Sequence, residues 1–348
     1  MVSSDPVSRP VVTVCGTVNV DTFVTVGRFP TAGETVIAEP VGVVPGSSAD
    51  GAHGNLGTPV NLGGKGANQA VAAARFAGTG PEGHGTAVRL FATVGADDRG
   101  TGALGVLAGH GVDVSRVAVC AEAPTGSAFI MNDAEGENII VVVSGANTST
   151  DPAAFISRSG DDTGVGSGGI LLAQGELTPE HSTALPELAR SLGARFILNL
   201  APVTVRGEAL CGLVATADPL IVNESEAADV LGVARDTGLD EVLDALTAAV
   251  GRGLARSAVV TLGAQGALVI DPAVNGPMMV PSPAADPVVD TTGAGDAFCG
   301  TLAAALAEGF PLHEAVRYAA AAGSLAVESA GAAASYAGRA EVHRRADG

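Results

Sequence analysis

Short unbroken apolar runs recur along the chain, with helical periodicity between them. VVTVCG (11–16), VRLFATVG (88–95), GILLAQG (169–175), RFILNL (195–200), PLIVN (219–223) and SAVVTLG (257–263) are rich in Val, Ile and Leu. They lack the polar–apolar alternation of a half-exposed strand, so each predicts a strand covered on both faces. Residues 68–78, 100–112, 180–192, 224–231 and 239–254 carry helical patterns, the first ending at Gly78. Strand and helix in alternation predict an α/β protein built on a parallel sheet.

Two stretches break this rhythm. Residues 21–45 alternate and predict exposed strands with turns, and 126–143 predict a hairpin turning at Asp133–Gly136. Together they suggest one small sheet projecting from the main domain. Between them lie PGSSADGAHGNLGTP (45–59) and GTGPEGHG (78–85), whose Gly/Ser content predicts mobile loops. No internal repeat is found. The expected organisation is a single domain over 11–340, with the small sheet drawn from about 21–62 and 121–145. Residues 1–10 and 341–348 are expected to be flexible ends.

Composition narrows the function classes. A formal charge of −19 disfavours nucleic acid and anionic membranes as partners, and the absence of Trp with only two Tyr disfavours base-stacking platforms. Cys15, Cys120, Cys211 and Cys299 form no C-x-x-C pair and are expected as buried, reduced thiols. The N-terminus lacks the pattern of a signal peptide, and no apolar run is of membrane-spanning length, so a cytoplasmic location is expected.

The chemistry concentrates in two glycine-rich segments. In VVDTTGAGDAFCGTLAAALAEG (288–309), Gly293, Ala294, Gly295 and Asp296 stand where a strand end meets a helix. Backbone N–H groups at a helix start form an anion site, and glycine lets a phosphate approach. Asp296 has two readings: an N-cap, or a base that deprotonates a hydroxyl attacking a phosphoryl group. The other segment, NLGGKGANQA (61–70), holds the only lysine of the chain, Lys65. A thin stem with a point charge fits a tight loop that a guanidinium fork would overfill. The segment is no P-loop, since Pro59 replaces the first Gly and Gly66 the Ser/Thr; nor does the first strand lead into G-x-G-x-x-G. Asn19 and Asp21 after the first strand are either a polar turn or a pair of hydrogen-bonding groups for a polyol. Glu176, Asn223 and Glu226 follow later strand ends, as solvated loop residues or as site residues.

GGKGANQAVAAARFAG and DTTGAGDAF together resemble the two signature regions of the ribokinase-like (PfkB) carbohydrate kinases. FPTAGET (29–35), EGEN (135–138), SGANTS (144–149), NLAP (199–202) and TLGAQG (261–266) fall in the family's order, so the resemblance runs from Val11 to Ser335. It implies a three-layer α/β/α fold with a mainly parallel sheet and a small β-sheet lid. The activity implied is ATP-dependent phosphorylation of a sugar hydroxyl, with D-ribose going to D-ribose 5-phosphate as the first choice. The alternatives are a nucleoside, fructose or deoxy-sugar kinase and, from another class, a non-catalytic sugar or nucleotide sensor. By the same resemblance Asn19, Asp21, Gly64, Lys65, Gly66, Asn68 and Glu176 hold the sugar, and Asp296 is the base in an anion hole of Gly293, Ala294 and Gly295. Asn223, Thr261, Gly263, Gly266 and Gly295 meet ATP, and Glu226 holds Mg²⁺ through water. Asp290, Thr292, Ala326, Ser329, Gly331 and Ser335 form a K⁺ site. A homodimer through the lid is implied as well. The chain departs from the family pattern in its long loops at 45–59 and 78–85, and at Ala320, where a larger polar residue often meets the adenine.

Overall fold

Successive side chains of a strand face opposite sides of its sheet, and here both sides are apolar. Val12 and Val14 enter one core and Cys15 the other; Ile170 and Leu172 face Leu171 and Ala173 across the sheet in the same way. The computed structural model describes residues 9–40, 60–78, 85–135, 137–158, 169–274 and 276–348. Among them, eight strands form the main sheet, in the order Met278–Val280, Ala267–Ile270, Ala258–Thr261, Leu220–Asn223, Arg195–Asn199, Ile170–Gln174, Val11–Cys15 and Ala87–Phe91. The six from Ala258–Thr261 to Ala87–Phe91 run parallel. The other two pair antiparallel at one edge, so the sheet is mainly parallel, as the resemblance implies.

Helices Lys65–Ala77, Asp98–Gly109, Ala294–Ala307, Leu312–Ala326 and Arg339–Asp347 cover one face. Leu185–Ser191, Gly207–Val214, Glu224–Leu231 and Leu239–Gly251 cover the other. The expected helix at 180–192 is split into Pro179–Ser182 and Leu185–Ser191, the second with Pro at its first turn. The expected strand at 88–95 is also split: Thr93–Gly95 leaves the main sheet to pair with Ala118–Cys120. Most of the end at 341–348 lies in the helix Arg339–Asp347, which buries Val342 completely and bonds Asp347 to Arg317. Cys15 and Cys299 are buried free thiols as expected, but Cys211 is exposed and Cys120 half-buried.

The lid is a four-stranded sheet, ordered Asn138–Val143, Ser127–Asn132, Thr22–Thr25 and Glu39–Pro40. The 126–143 hairpin is present as read. The 21–45 stretch is less strand-rich than its alternation suggests, holding only two short strands in its described part. The loop 45–59 and residues 79–84 lie outside the described residues.

One close contact positions the site. Lys65–Ala77 and Ala294–Ala307 pack side by side, and a Cβ built on Gly300 would lie 2.3 Å from the Gln69 carbonyl oxygen and 2.7 Å from Ala72 Cβ. Only glycine lets the backbones approach this closely. Asp296 lies four residues before Gly300, on the same helix face, and so is aimed at the start of the Lys65–Ala77 helix.

Candidate active site

The polar groups gather at the C-terminal ends of the parallel strands, where open α/β sheets bind ligands. The loop after Val11–Cys15 is pressed onto the start of the Lys65–Ala77 helix. A Cβ on Gly66 would lie 2.5 Å from the Thr17 nitrogen, and one on Gly64, at φ +85°, 2.9 Å from the Thr17 oxygen. These two glycines bring Asn19, Lys65 and Asn68 within reach of one another.

Asp296 is not the N-cap of its helix. Gly293 is, at φ +78° and without any side-chain cap, which leaves the first N–H groups with no intrahelical acceptor. Asp296 is buried and accepts from Asn68 Nδ2 on Oδ2 at 3.1 Å and from Gln69 Nε2 on Oδ1 at 2.9 Å. Lys65 opens the facing helix. The negative charge of Asp296, foremost, raises the ammonium's pKa; burial opposes this, and Glu176, Cys299 and Glu226 reinforce it. The one lysine is therefore the cation of an acidic pocket.

Glu176 is a half-buried, hydrogen-bonded carboxylate rather than a freely solvated one. Its Oε2 accepts from the Lys65 backbone N–H at 3.0 Å and from the Thr17 hydroxyl. Burial raises its pKa, opposed by those two bonds and by the Lys65 ammonium. Glu176 thus supplies an acceptor to the helix start that Gly64 cannot cap.

Asn19 is buried and Asp21 lines a cleft, so the pair is not a solvated turn. Asn147 Nδ2 donates to Asn19 Oδ1 at 2.8 Å and to the Val18 carbonyl, so the Asn19 amide turns its own donor away from Asn147. Asp21, Asn61 and Asn68 line one cleft with Phe23, Leu62, Thr292 and Gly331. Asp21 Oδ1, Asn61 Oδ1 and Asn68 Oδ1 are all buried without a hydrogen-bond partner among the described residues. Burial pushes the Asp21 carboxyl up to about 7, with the Ala128 backbone N–H opposing and Glu176 adding to the rise.

Asn223 and Glu226 form a capping box. Glu226 N donates to Asn223 Oδ1 and Asn223 N to Glu226 Oε2, both at 2.8 Å, at the start of Glu224–Leu231. Burial is the main cause that raises the Glu226 pKa, and the Lys65 ammonium works against it. Thr261 ends its strand, and the following loop turns through Gly263 at φ +54° and Gly266 at φ +106°.

Asp290 binds two loops together, accepting from Thr292 N on Oδ1 and from Gly331 N on Oδ2, both at 2.9 Å. These two bonds hold its carboxyl below the usual range although burial works the other way. Ala326 ends the Leu312–Ala326 helix, Ser329 follows it, and Ser335 closes the short Ala333–Ser335 turn. Among the described residues no hydrogen bond joins these three side chains to Asp290. Ala320 is buried in the Leu312–Ala326 helix.

The sequence reading missed a group of buried amides. Gln69, Gln174 and Asn199 join Asp296 beneath the site, and Asn61 and Asn147 join it from the lid side. A signal was present in Gln69, an amide at a core-facing position of an alanine-rich helix, and in Gln174, which ends an otherwise apolar strand.

A helix start without a side-chain cap, a buried carboxylate and a cleft lined in part by polar side chains thus stand together at the strand ends of this fold. The model of the pfkB family of carbohydrate kinases matches residues 30–337, and the chain belongs to that family. Among curated relatives, the ribokinase of Schizosaccharomyces pombe is 31% identical over 325 residues, covering 93% of this chain and 94% of its own. The Bacillus subtilis ribokinase is 34% identical over 319 residues, covering 92% and 93%. Among solved structures, Arabidopsis thaliana ribokinase complexed with ribose and ATP superposes with a TM-score of 0.79 at 27% identity, covering 98% of this chain and 99% of that one. The chain is a sugar kinase.

Proposed function

We propose that this kinase transfers the γ-phosphoryl group of ATP to the terminal hydroxyl of D-ribose, giving D-ribose 5-phosphate, with Asp296 as general base. One observation carries the reading: three buried acceptor oxygens without a partner among the described residues belong to Asp21, Asn61 and Asn68, residues that line the same cleft. Leaving such a group unpaired costs about 1–3 kcal/mol. A ligand with several hydroxyl donors relieves all three at once. A nucleobase would need apolar or aromatic cover instead, and among the described residues Phe23 is the only aromatic side chain lining that cleft. The relatives named ribokinase support the same choice.

In this reading the hydroxyl lies against Asp296, which takes its proton as the oxygen attacks the γ-phosphorus and ADP leaves. The N–H groups at 293–296 neutralise the transferring phosphoryl group, and Lys65 adds a positive charge beside it. ATP lies across the 261–266 loop with its phosphates toward that helix start. Among the described residues no cluster of three acidic, Cys or His side chains could enclose a metal. Glu226 would hold Mg²⁺ through water, and the ion would supply positive charge to the phosphates. Asp290 and the 326–335 segment would hold K⁺, whose positive charge the Asp290 carboxylate would balance.

The test is kcat/KM for ribose, fructose, 2-deoxyribose and adenosine with coupled ADP detection, run in K⁺ and in tetramethylammonium at equal ionic strength. Ribose in K⁺ should lead, with 2-deoxyribose lower by roughly 100-fold or more because a hydroxyl-reading site is left unpaired. A lead for fructose or adenosine would overturn the substrate, and equal rates in the two cations would remove the K⁺ site.

A further inference from the structure

Beneath Asp296 lies a sealed chain of amides with no contact to the cleft. Gln69 is fully buried. Its Nε2 donates to Asp296 Oδ1 at 2.9 Å and to Asn199 Oδ1 at 3.0 Å, and its Oε1 accepts from Gln174 Nε2 at 2.8 Å. Both hydrogens of the Gln69 amide are thereby used. The reversed amide would set its oxygen against two acceptors and its NH₂ against a donor, so the network admits one orientation. Asn199 is held in turn through Nδ2, which donates to the Ile221 carbonyl at 3.4 Å. Gln174 lies against the backbone, since a Cβ on Gly16 would fall 1.9 Å from its Oε1. The chain therefore runs from the rigid sheet to one oxygen of Asp296. The other oxygen, Oδ2, is bonded by Asn68, which lines the cleft.

We infer that Gln69 is a positioning residue for the general base: it occupies Oδ1, turns Oδ2 toward the acceptor hydroxyl and so directs the proton to Oδ2, while Gln174 and Asn199 lock its amide. This rests on Asp296 being the base. A buried amide contributes no charge, so the effect is one of orientation, in a reaction where misplacing a group by about 1 Å can cost 100-fold. The titratable groups coupled to Asp296 are Lys65, Glu176, Cys299 and Tyr336, on four different segments.

The experiment compares wild type, Asp296→Asn, Gln69→Met, Gln69→Glu and Gln174→Met in the full chain with ribose and ATP. It measures kcat, sugar KM, the pH–rate profile and melting temperature. Gln69→Met should lower kcat by about 10- to 100-fold, with sugar KM little changed and melting near wild type. Gln69→Glu sets a second carboxylate against Oδ1 and should move the acid limb of the profile up by about one unit or more. Gln174→Met should lose kcat in the same direction but by less. If Gln69→Met fails to fold, Gln69→Glu and Gln174→Met decide on the same quantities. Wild-type kcat and an unmoved acid limb in the Gln69 variants, with Asp296→Asn inactive, would overturn the inference. A parallel fall of kcat and melting temperature with the acid limb unmoved would overturn it too, by making the amide purely structural. Activity in Asp296→Asn would instead defeat the reading of the base.

Discussion

Asp21 shows how a binding residue can work against the fold that carries it. Its carboxyl is buried, has one oxygen unpartnered and is pushed up to about 7. The sign follows from linkage. With the folded pKa above the ordinary 3.8, the native state holds the proton more tightly. Its contribution to stability is therefore full below the unfolded pKa and is lost as pH rises toward about 7. Asp21→Asn removes the ionisable group but keeps the shape. The variant should melt higher than wild type at pH ~8 and show a flatter loss of stability between pH ~4 and ~7. Its sugar KM should rise by about tenfold, because an amide offers one acceptor oxygen where the carboxylate offers two. Melting curves across pH and sugar kinetics check both halves; a lower melting temperature at pH ~8 would show that the charge stabilises the native state.

The site depends on two helices held closer than side chains allow elsewhere. Gly300→Ala should raise intrinsic helix propensity by about 1 kcal/mol. It should nevertheless lower the melting temperature, since overpacking costs about 1–3 kcal/mol where the new Cβ would meet Gln69 O at 2.3 Å. It should also lower kcat, because separating the helices draws Asp296 away from Asn68 and Gln69. A higher melting temperature with unchanged kcat would show that the contact relaxes freely. The sequence was readable where an element carried its own pattern. Glu224–Leu231 stands within the bounds its pattern predicts, because a capping box at Asn223 and a glycine at 232 punctuate it locally. Arg339–Asp347 was unreadable because it is almost wholly polar, with Val342 its one fully buried anchor, and its cover comes from the distant Leu312–Ala326 helix. The antiparallel strands Ala267–Ile270 and Met278–Val280 were missed because a four-residue and a three-residue run carry too little period to read. In the site, residues within glycine signatures were legible. Gln69, Gln174 and Asn199 were not recognised as a group, since their meaning lies in a network joining three elements far apart in sequence.

For the molecule as a whole, the lid has an apolar outer edge. On its edge strand Asn138–Val143, Ile140, Val141 and Val142 are 55%, 56% and 58% exposed, and Phe129 on the next strand is 45% exposed. Such an edge invites another chain, which supports a homodimer through the lid. If two copies join through this edge, wild type should sediment as a dimer at micromolar concentration and Ile140→Glu as a monomer with weakened sugar binding; a dimer retained in Ile140→Glu, or a wild-type monomer, would contradict an interface at the lid edge. The account as a whole turns on Asp296. Its most direct measurement is ribose-dependent ADP formation by wild type and Asp296→Asn, with ATP binding followed in parallel. The account predicts a loss of about 100-fold or more in kcat with ATP binding retained; a loss below about tenfold would contradict a general base at Asp296.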